Sequence, residues 1–487
     1  MDPILNQKGF ITYEDFGAVG DGRTDDMAAI AACHEHANAH ALPVRTRDGA
    51  EYYIGGRDLT AVIMTDTDFG TSKFIIDDRD VENIKSHVFI IQSEEEYYCP
   101  DIKSLSRDQK KVDFPHTGNV YLRIYSDARK RYIRKGKNKN NGSDQSDCFL
   151  VDQDGNILTP INWDYPSVSE IRAKSADDAP ITVRGGEFIT VANAAPSKYT
   201  YYFRNILISR SNVTLERITH RITGEGDHGA PYNGFISIQE CCNIMVKNLL
   251  LTPHFTYWTE SKIPGEDVPM GSYDLSFSAA IGVKLTGLRQ TIDIMDTRYW
   301  GLMGSNFSKD VTVEDCVVSR FDAHCGVTGG VIRNCVFGHV GVNLIGFGQF
   351  LMENTTVKGR ALINFRPDYG SFFDGNITIR NCVWEPREET FNCIFRAQNE
   401  GDHDFGYPCP MAKEIYVDGL IVRDEKCDPA LPLYVFPNYD PEFTPDKPYA
   451  YITPDKITLK NVKSTTGRPL ALWENALQNT ETQVVQE

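Results

Sequence analysis

Short β-type runs recur along the chain, and most of them end in a residue suited to a tight turn. Eight segments fit this pattern, from 213–217 to 457–461. The third residue of each run is apolar and serves as an anchor: Leu215, Val246, Val313, Ile332, Met352, Ile379, Val417 and Leu459. The anchors are 31, 67, 19, 20, 27, 38 and 42 residues apart. Repeats of roughly 20–50 residues are typical of solenoids. The pattern therefore predicts stacked coils, with loops or unrecognised coils in the longer intervals.

The turn position lies two residues after most anchors. The residues there are Asn248, Asp315, Asn334, Asn354, Asn381, Gly419 and Asn461. Asn, Asp and Gly tolerate a left-handed backbone, and Asn and Asp side chains also bond nearby backbone groups. Stacked coils would align these residues in a ladder. The next position includes Cys316, Cys335 and Cys382, which we interpret as small core hydrophobes in an inward column.

The segment from Asp15 to Ile30 reads D-F-G-A-V-G-D-G-R-T-D-D-M-A-A-I. Thr24 is predicted to be the N-cap of a helix that runs to about Ala41, with acidic residues in its first turn. The motif D-F-G-A-V-G-D-G-x-T-D-D resembles the N-terminal signature of the pectate-lyase superfamily. This superfamily of right-handed parallel β-helices includes polygalacturonases, alginate-type epimerases and phage capsule depolymerases. The resemblance implies that the helix caps the open end of the solenoid.

The fold is predicted to be all-β: a right-handed parallel β-helix with an N-terminal capping helix and an inserted β-rich subdomain. Residues 1–95 form the cap and the first coils, 96–200 the insertion, and 201–487 the main β-helix with a catalytic groove. The insertion is polar and contains a basic run at 129–137. We interpret this run either as a solvated hairpin tip or as a clamp on an acidic glycan.

One outer wall of the main β-helix collects polar residues of several kinds. Equivalent positions on successive parallel strands stack ~4.8 Å apart, which predicts His339 on Arg320 and Asn343 on His324. Strand alternation turns Arg320, Asp322 and His324 to one face. The coil that follows adds three more residues, Arg366, Asp368 and Tyr369.

This mixture fits β-elimination of a uronate, which needs a neutralised carboxylate, a base and an acid. Arg320, Arg366 and Arg298 can neutralise the carboxylate. His324 or His339 can be the base, and Tyr369 or Tyr299 the acid. Hydrolysis instead needs two carboxylates, for which the candidates are Asp322, Asp368 and Asp296. The three arginines favour the lyase, with a glycoside hydrolase as the alternative. A third hypothesis is a non-catalytic, phage-tail-like β-helix that binds glycan, because a fold is not a function.

Loops are predicted to bring further substrate-binding residues to the same wall. These residues are Arg298, Tyr299, Asp296, Asn343, His228 and His403. The N-T-D, D-D, G-H-G and R-I-K motifs that the resemblance would imply for a polygalacturonase are not found along the solenoid, where Gly338 and His339 are followed by Val340. Nor is a calcium-type acidic cluster evident. We predict no metal site and no cofactor, while a divalent cation such as calcium stays open.

The net charge of -17 disfavours nucleic acid as a partner. No apolar stretch is long enough to span a membrane, and residues 1–9 do not resemble a signal peptide. Twelve cysteines without C-x-x-C pairs indicate reduced thiols. We therefore predict a cytoplasmic protein, or a secreted one whose leader is absent from this sequence. Its partner is predicted to be an acidic oligo- or polysaccharide, and a homo-oligomer is left open.

Overall fold

A computed structural model describes most of the chain. The described residues are 9–94, 96–197, 200–260, 265–301, 303–387, 392–398, 403–430, 433–436, 451–471 and 482–486. Residues 1–8, on which the prediction about a signal peptide mainly rests, lie outside this set. No helix in the described ranges is long and apolar enough to cross a membrane.

Within the described ranges, thirty-one strands form a single sheet that winds into a right-handed parallel β-helix. Before the insertion its strands are Asp21–Asp25, Val44–Arg45, Glu51–Ile54, Ala61–Ile63, Thr67–Asp68, Lys73–Asp77 and Phe89–Ile91. After the insertion they continue with Ile181–Arg184, Glu187–Val191, Ile206–Ile208, Val213–Glu216, Thr219–Thr223, Ile236–Gln239, Cys242–Lys247, Leu250–Leu251, Leu275–Ser278, Ile281–Thr286 and Arg289–Gln290. The last strands are Met303–Glu314, Val317–Arg333, Val336–Asn343, Gly346–Glu353, Thr356–Lys358, Ala361–Asn364, Phe373–Glu385, Asn392–Arg396, Glu414–Val422, Leu433–Tyr434, Lys456–Lys460, Lys463–Ser464 and Gln483–Gln486.

The predicted anchors stack directly on one another. The paired anchors are Leu215 with Val246, Val313 with Ile332, Ile332 with Met352, Met352 with Ile379, Ile379 with Val417, and Val417 with Leu459. The interval of 67 residues contains one unrecognised coil, Ile281–Thr286, whose Leu285 pairs with Val246 and with Val313. Its turn residue is Gly287, with φ of 69°. The repeat pattern therefore gave the correct register.

The turn residues form the predicted ladder. Asp315, Asn334 and Asn354 have φ of 54°, 53° and 49°, the left-handed region that Asn and Asp tolerate. The Asn334 amide Nδ2 lies 3.3 Å from Asp315 Oδ1, and Asn354 Nδ2 lies 3.3 Å from Asn334 Oδ1. The cysteines that follow the turns are buried in the core, as predicted.

The N-terminal cap differs from the prediction at its start. A short 3-10 helix covers Tyr13–Phe16, and the only α-helix of the described residues runs from Met27 to His40. Its N-cap is Asp26, whereas Thr24 lies in the preceding strand. The Asp26 carboxylate accepts hydrogen bonds from the backbone N–H groups of Val19 and Gly20, at 2.7 and 3.0 Å. These two hydrogen bonds hold the turn at Val19 and Gly20 against the start of the helix. The predicted end near Ala41 is confirmed.

The inserted subdomain is built on a three-stranded antiparallel sheet: Val120–Arg131, Ser143–Val151 and Glu170–Ser175. It has its own apolar cluster, which includes Leu122, Ile124 and Phe149. The chain then re-enters the main sheet with the strands that start at residues 181 and 187. The predicted boundary at residue 200 is thus too late by about one coil.

Two short strand pairs and a second 3-10 helix are the remaining elements of the described residues. Tyr257–Glu260 and Asp267–Met270 form an antiparallel pair, and Cys409–Pro410 pairs with Tyr451–Ile452. A 3-10 helix covers Pro367–Tyr369.

Candidate functional site

The strand Val317–Arg333 carries the centre of the candidate site. Phe321 and Ala323 are buried in the solenoid core. Arg320, Asp322 and His324 alternate with them and therefore point to the opposite face. This alternation was predicted, and it puts a base, a carboxylate and a guanidinium on one strand.

Asp322 is fully buried beneath this face and is surrounded by donors. Arg320 Nη2 lies 2.5 Å from Asp322 Oδ2, and Arg366 Nη1 lies 2.9 and 2.8 Å from the two carboxylate oxygens. The Tyr273 hydroxyl donates a further hydrogen bond to Oδ2. Burial alone would raise the pKa of Asp322, but the charges of both arginines outweigh it and the pKa is lowered. Asp322 is therefore a fixed counter-charge.

A second carboxylate, Asp368, is held in a similar way. Arg366 Nε lies 3.2 Å from its Oδ1 and Arg366 Nη2 2.9 Å from its Oδ2. Arg134 of the inserted subdomain reaches the same oxygen with Nη2 at 2.6 Å. Burial opposes ionisation of Asp368, yet Arg366 and Arg134 leave its pKa lowered. Three arginines and two carboxylates thus form one charge network.

The basic run of the insertion is the tip of a hairpin that docks on this network. The backbone N–H of Lys135 donates to the Asp368 carbonyl at 3.1 Å, and that of Ile133 donates to the Phe405 carbonyl at 3.1 Å. His403 Nε2 contacts the Ile133 carbonyl at 3.1 Å. His403, predicted to bind substrate, therefore holds the tip in place. The tip is part of the site wall.

A cavity of about 610 Å³ lies between the hairpin tip and the solenoid. Its titratable lining residues are Arg134, Tyr201, Tyr232, Tyr273, Arg320, His324, Arg366 and Tyr369. Its other lining residues include Asn138, Asn140, Asn233, Gln239, Ser272, Ser276, Ser278, Trp300 and Asn306. No carboxylate is among the described residues that line it. The cavity is therefore polar and locally cationic.

His324 faces this cavity as a neutral imidazole. Its Nδ1 lies 3.1 Å from Asn306 Oδ1 and 3.3 Å from Cys325 Sγ. In the tautomer that donates to the amide oxygen, which can only accept, Nδ1 carries the proton. Nε2 then holds the lone pair, and it has no hydrogen-bond partner among the described residues. Burial and the positive charge of Arg366 lower the pKa of His324 to about 3. The ring is therefore neutral, with a single N–H, at neutral pH.

Tyr369 stands next to His324 on the same cavity wall. The two ring centroids are 5.5 Å apart and the rings are nearly perpendicular. The guanidinium carbons of Arg134 and Arg366 each lie 5.3 Å from the Tyr369 ring centroid. Burial, with a further contribution from Cys325, raises the pKa of the Tyr369 phenol. It carries its proton at neutral pH and can donate it.

The stacking predicted for His339 and Asn343 is wrong. The strands pair as Val318 with Phe337 but as Arg320 with Gly341, so two extra residues bulge out between these pairs. The bulge turns His339 towards the Ile294 carbonyl, 3.3 Å from Nδ1, and His339 is not among the residues that line the cavity. Downstream of the bulge, Asn343 pairs with Asp322 and not with His324.

The remaining predicted substrate-binding residues lie apart from the cavity lining. Arg298 is an exposed side chain that forms an ion pair with Asp296, with Nη2 2.6 Å from Oδ2. Tyr299 is buried, and its ring packs 5.0 Å from that of Phe255. His228 is exposed on a loop. In this segment it is Trp300, one residue further on, that lines the cavity.

Sequence reasoning missed several lining residues. Arg134 lay within the basic run, but its partner Asp368 is 234 residues away, and no local pattern links the two. Tyr273 precedes the strand Leu275–Ser278, whose coil had not been recognised. Asn306 lies on the same strand as the anchor Val313 but seven residues before it, whereas only residues after the anchors had been aligned. Among the described residues no group of three His, Cys, Asp or Glu side chains is placed to hold a metal ion.

No family model matches this chain. Its segment of similarity to a capsule KL64-specific depolymerase of a Klebsiella phage is 30% identical over 94 residues. That segment covers 17% of this chain and 9% of the depolymerase, so the similarity spans only a small part of the relative's length.

Solved phage tailspikes share the fold. The tailspike protein gp49 of Pseudomonas phage LKA1 has a TM-score of 0.51 at 13% identity, covering 93% of this chain and 81% of the tailspike. The tailspike gp61 of Pseudomonas phage phi297 has a TM-score of 0.52 at 11% identity, covering 98% and 84%. The gp54 tailspike of an Acinetobacter baumannii bacteriophage, solved with a capsular saccharide, has a TM-score of 0.51 at 9% identity, covering 98% and 79%. At these identities the likeness concerns the fold.

Proposed function

We propose that this chain is a polysaccharide lyase that cleaves an acidic, uronate-containing glycan by β-elimination. The observation that carries the proposal is the composition of the cavity between the hairpin tip and the solenoid. It combines three arginines, a neutral histidine and protonated tyrosines, with no carboxylate among its described lining residues. This set matches what elimination requires: cationic neutralisation, a base and an acid.

Hydrolysis fits the same geometry poorly. A glycosidase needs one carboxyl group with a raised pKa as general acid and a second carboxylate opposite it. Asp322 and Asp368 are both paired with arginines that lower their pKa values. Asp322 is also fully buried. Neither group is suited to deliver a proton to a leaving oxygen.

The proposed reaction uses four side chains. Arg320 and Arg366 bind the uronate carboxylate, whose planar oxygens suit guanidinium donors, and this acidifies the C5 proton. His324 Nε2 takes that proton, and the C5–H electrons form the C4–C5 double bond as the C4–O bond breaks. Tyr369 gives its proton to the leaving oxygen. The bound carboxylate also offsets the charge of Arg366, and this strengthens His324 as a base when substrate is present.

The similarities with known proteins support a polysaccharide as the substrate class. One relative is named as a capsule depolymerase, and one structural neighbour was solved with a capsular saccharide. A chain with their fold and a cationic cavity is suited to an acidic capsular polysaccharide. We assign no cofactor to the reaction.

The decisive assay measures two signals on a panel of acidic and neutral capsular polysaccharides. A lyase raises both the ultraviolet absorbance of the new conjugated double bond and the number of reducing ends, and EDTA leaves both unchanged. Reducing ends without absorbance would make the enzyme a hydrolase. Retention of glycan with neither signal would make it a binding protein.

Two single substitutions then test the base. His324→Ala is expected to lower kcat by about 10²- to 10⁴-fold, the usual contribution of a general base, while the melting temperature stays close to that of the wild type. His339→Ala is expected to retain most of the turnover, because His339 lies within the bulge and is not among the residues that line the cavity. The opposite ranking would transfer the role of the base to His339 and contradict the assignment.

A further inference from the structure

A second cavity, of about 370 Å³, adjoins the first. The two cavities share Arg320 and Arg366 in their linings. The hairpin tip contributes to both, with Arg134 in the first and Lys135 in the second. The second cavity therefore continues the same groove beyond the residues proposed to bind the uronate at the reaction centre.

The charge of this second cavity is strongly positive. Four cations and one carboxylate line it: Lys135, Arg320, Arg366, Arg396 and Asp368. That carboxylate is already paired with Arg366 and with Arg134. A cationic recess in a chain with a net charge of -17 concentrates the positive potential at one place and attracts anions there.

Two of these arginines have unused donors. Arg320 gives Nη2 to Asp322, while its Nε is buried without a hydrogen-bond partner. The guanidinium of Arg396 makes no ion pair or hydrogen bond within the described residues. Buried donors are normally satisfied. A guanidinium group that lines a cavity and lacks a partner therefore indicates that a bound ligand supplies the hydrogen-bond acceptor.

An amide acceptor lines the same cavity. Asn364 Nδ2 donates to Asn343 Oδ1 at 2.5 Å, and Asn364 Oδ1 is buried without a partner. Guanidinium donors bind carboxylates, and an amide oxygen accepts from hydroxyl groups. The volume lies at the lower end of the range for ligand sites, which suits one sugar residue.

From these contacts we propose that the second cavity is a subsite for a second acidic sugar residue, whose carboxylate binds Arg396 and Arg320 Nε. The inference rests on the proposed function and makes it more specific, because it names the substrate as a glycan with uronates close together along the chain. A neutral residue in this position leaves the guanidinium groups unpaired and binds more weakly.

Direct binding tests this without turnover. The probes are trisaccharides of galacturonate, mannuronate and glucuronate and their carboxyl-reduced neutral counterparts, measured by isothermal titration calorimetry. The wild type is expected to bind at least one acidic trimer more tightly than its neutral counterpart, with affinity that falls as salt is added. Arg396→Gln is expected to weaken that acidic binding by about tenfold or more, as for a lost charge-assisted hydrogen bond, and to leave neutral binding unchanged.

Arg423→Gln is the matched control, because Arg423 is exposed, lies outside both cavities and pairs with Glu385 at 2.9 Å. Lys135→Gln tests the opposite wall of the same cavity if Arg396→Gln does not fold. Equal affinity of Arg396→Gln and the wild type for the acidic trimer would overturn the subsite, as would a wild type that binds no acidic trimer. Normal binding without cleavage of any polysaccharide would overturn the lyase and leave the subsite standing.

Discussion

The two walls of the larger cavity are built in different ways. The solenoid wall takes Arg320 and His324 from one 17-residue strand that is paired with neighbours on both sides. The hairpin wall takes Arg134 and two asparagines from a loop between Arg131 and Ser143. Strand positions hold reacting groups precisely, whereas loops change readily. We infer that the solenoid wall carries the chemistry and the hairpin wall carries recognition.

The largest effect is expected from Asp322→Asn, which removes the counter-charge under the solenoid wall. Two adjacent guanidinium groups would lose their shared partner, at a cost of roughly 3–5 kcal/mol in the free energy of unfolding. Turnover should fall below detection, and urea titration measures the stability change. Glu353→Gln is the control, because its ion pair with Arg333 is partly exposed and contributes less than about 1 kcal/mol. Equal losses in the two variants would contradict the role of Asp322.

A smaller effect concerns pH. The pKa of His324 is lowered to about 3 in the folded state, below the ordinary value of about 6.5. The unfolded chain therefore binds more protons between these values, and this group makes the protein less stable as the pH falls through that window. Between pH 7 and pH 5 the wild type should lose roughly 1–2 kcal/mol more of its free energy of unfolding than His324→Gln loses. Urea midpoints that shift equally with pH in both proteins would disprove the lowered pKa.

On the hairpin wall, Arg134→Ala should affect binding more than turnover. Asp368 keeps its pairing with Arg366, so the reacting groups stay in place. KM is expected to rise by about tenfold, as for a lost charge-assisted contact, with kcat within about twofold. Arg129→Ala is the matched control, since Arg129 belongs to the same basic run but is exposed and lines neither cavity. A fall in kcat as large as that for His324→Ala would contradict the inference that the hairpin wall serves recognition and the solenoid wall serves the chemistry.

The smallest effect is expected in the turn ladder, away from both walls. Asn334 has φ of 53°, a backbone conformation that costs alanine about 1–2 kcal/mol. Asn334→Ala should therefore lower the melting temperature slightly, and Asn334→Gly should lower it less. Kinetic constants should be unchanged in both. A glycine variant less stable than the alanine variant would show that the ladder hydrogen bonds matter more than the backbone.

The fold could be predicted because its sequence signal is a local repeat. Spacing, turn residues and inward cysteines each depend on a few neighbouring positions, and together they fixed the register of the anchors. The error at Thr24 has a local cause as well: the Asp26 carboxylate bonds back to Val19 and Gly20, and the helix begins only after it.

The site was predicted only in part. The alternation around Asp322 and the contribution of the segment at 366–369 follow from strand geometry. Arg134 and Tyr273 did not, because their contacts join distant parts of the chain. Counting residues from the anchors also failed at His339, since a bulge changes the count without leaving a clear mark in the sequence.

That bulge has an evolutionary consequence. The pairs on either side of it, such as Val317 with Val336 and Phe321 with Val342, are intact. A change of two residues in length at this point therefore exchanges the side chain that faces the groove while the neighbouring coils keep their stacking. Insertions and deletions at such positions therefore allow a solenoid to change its specificity while each intermediate sequence still folds.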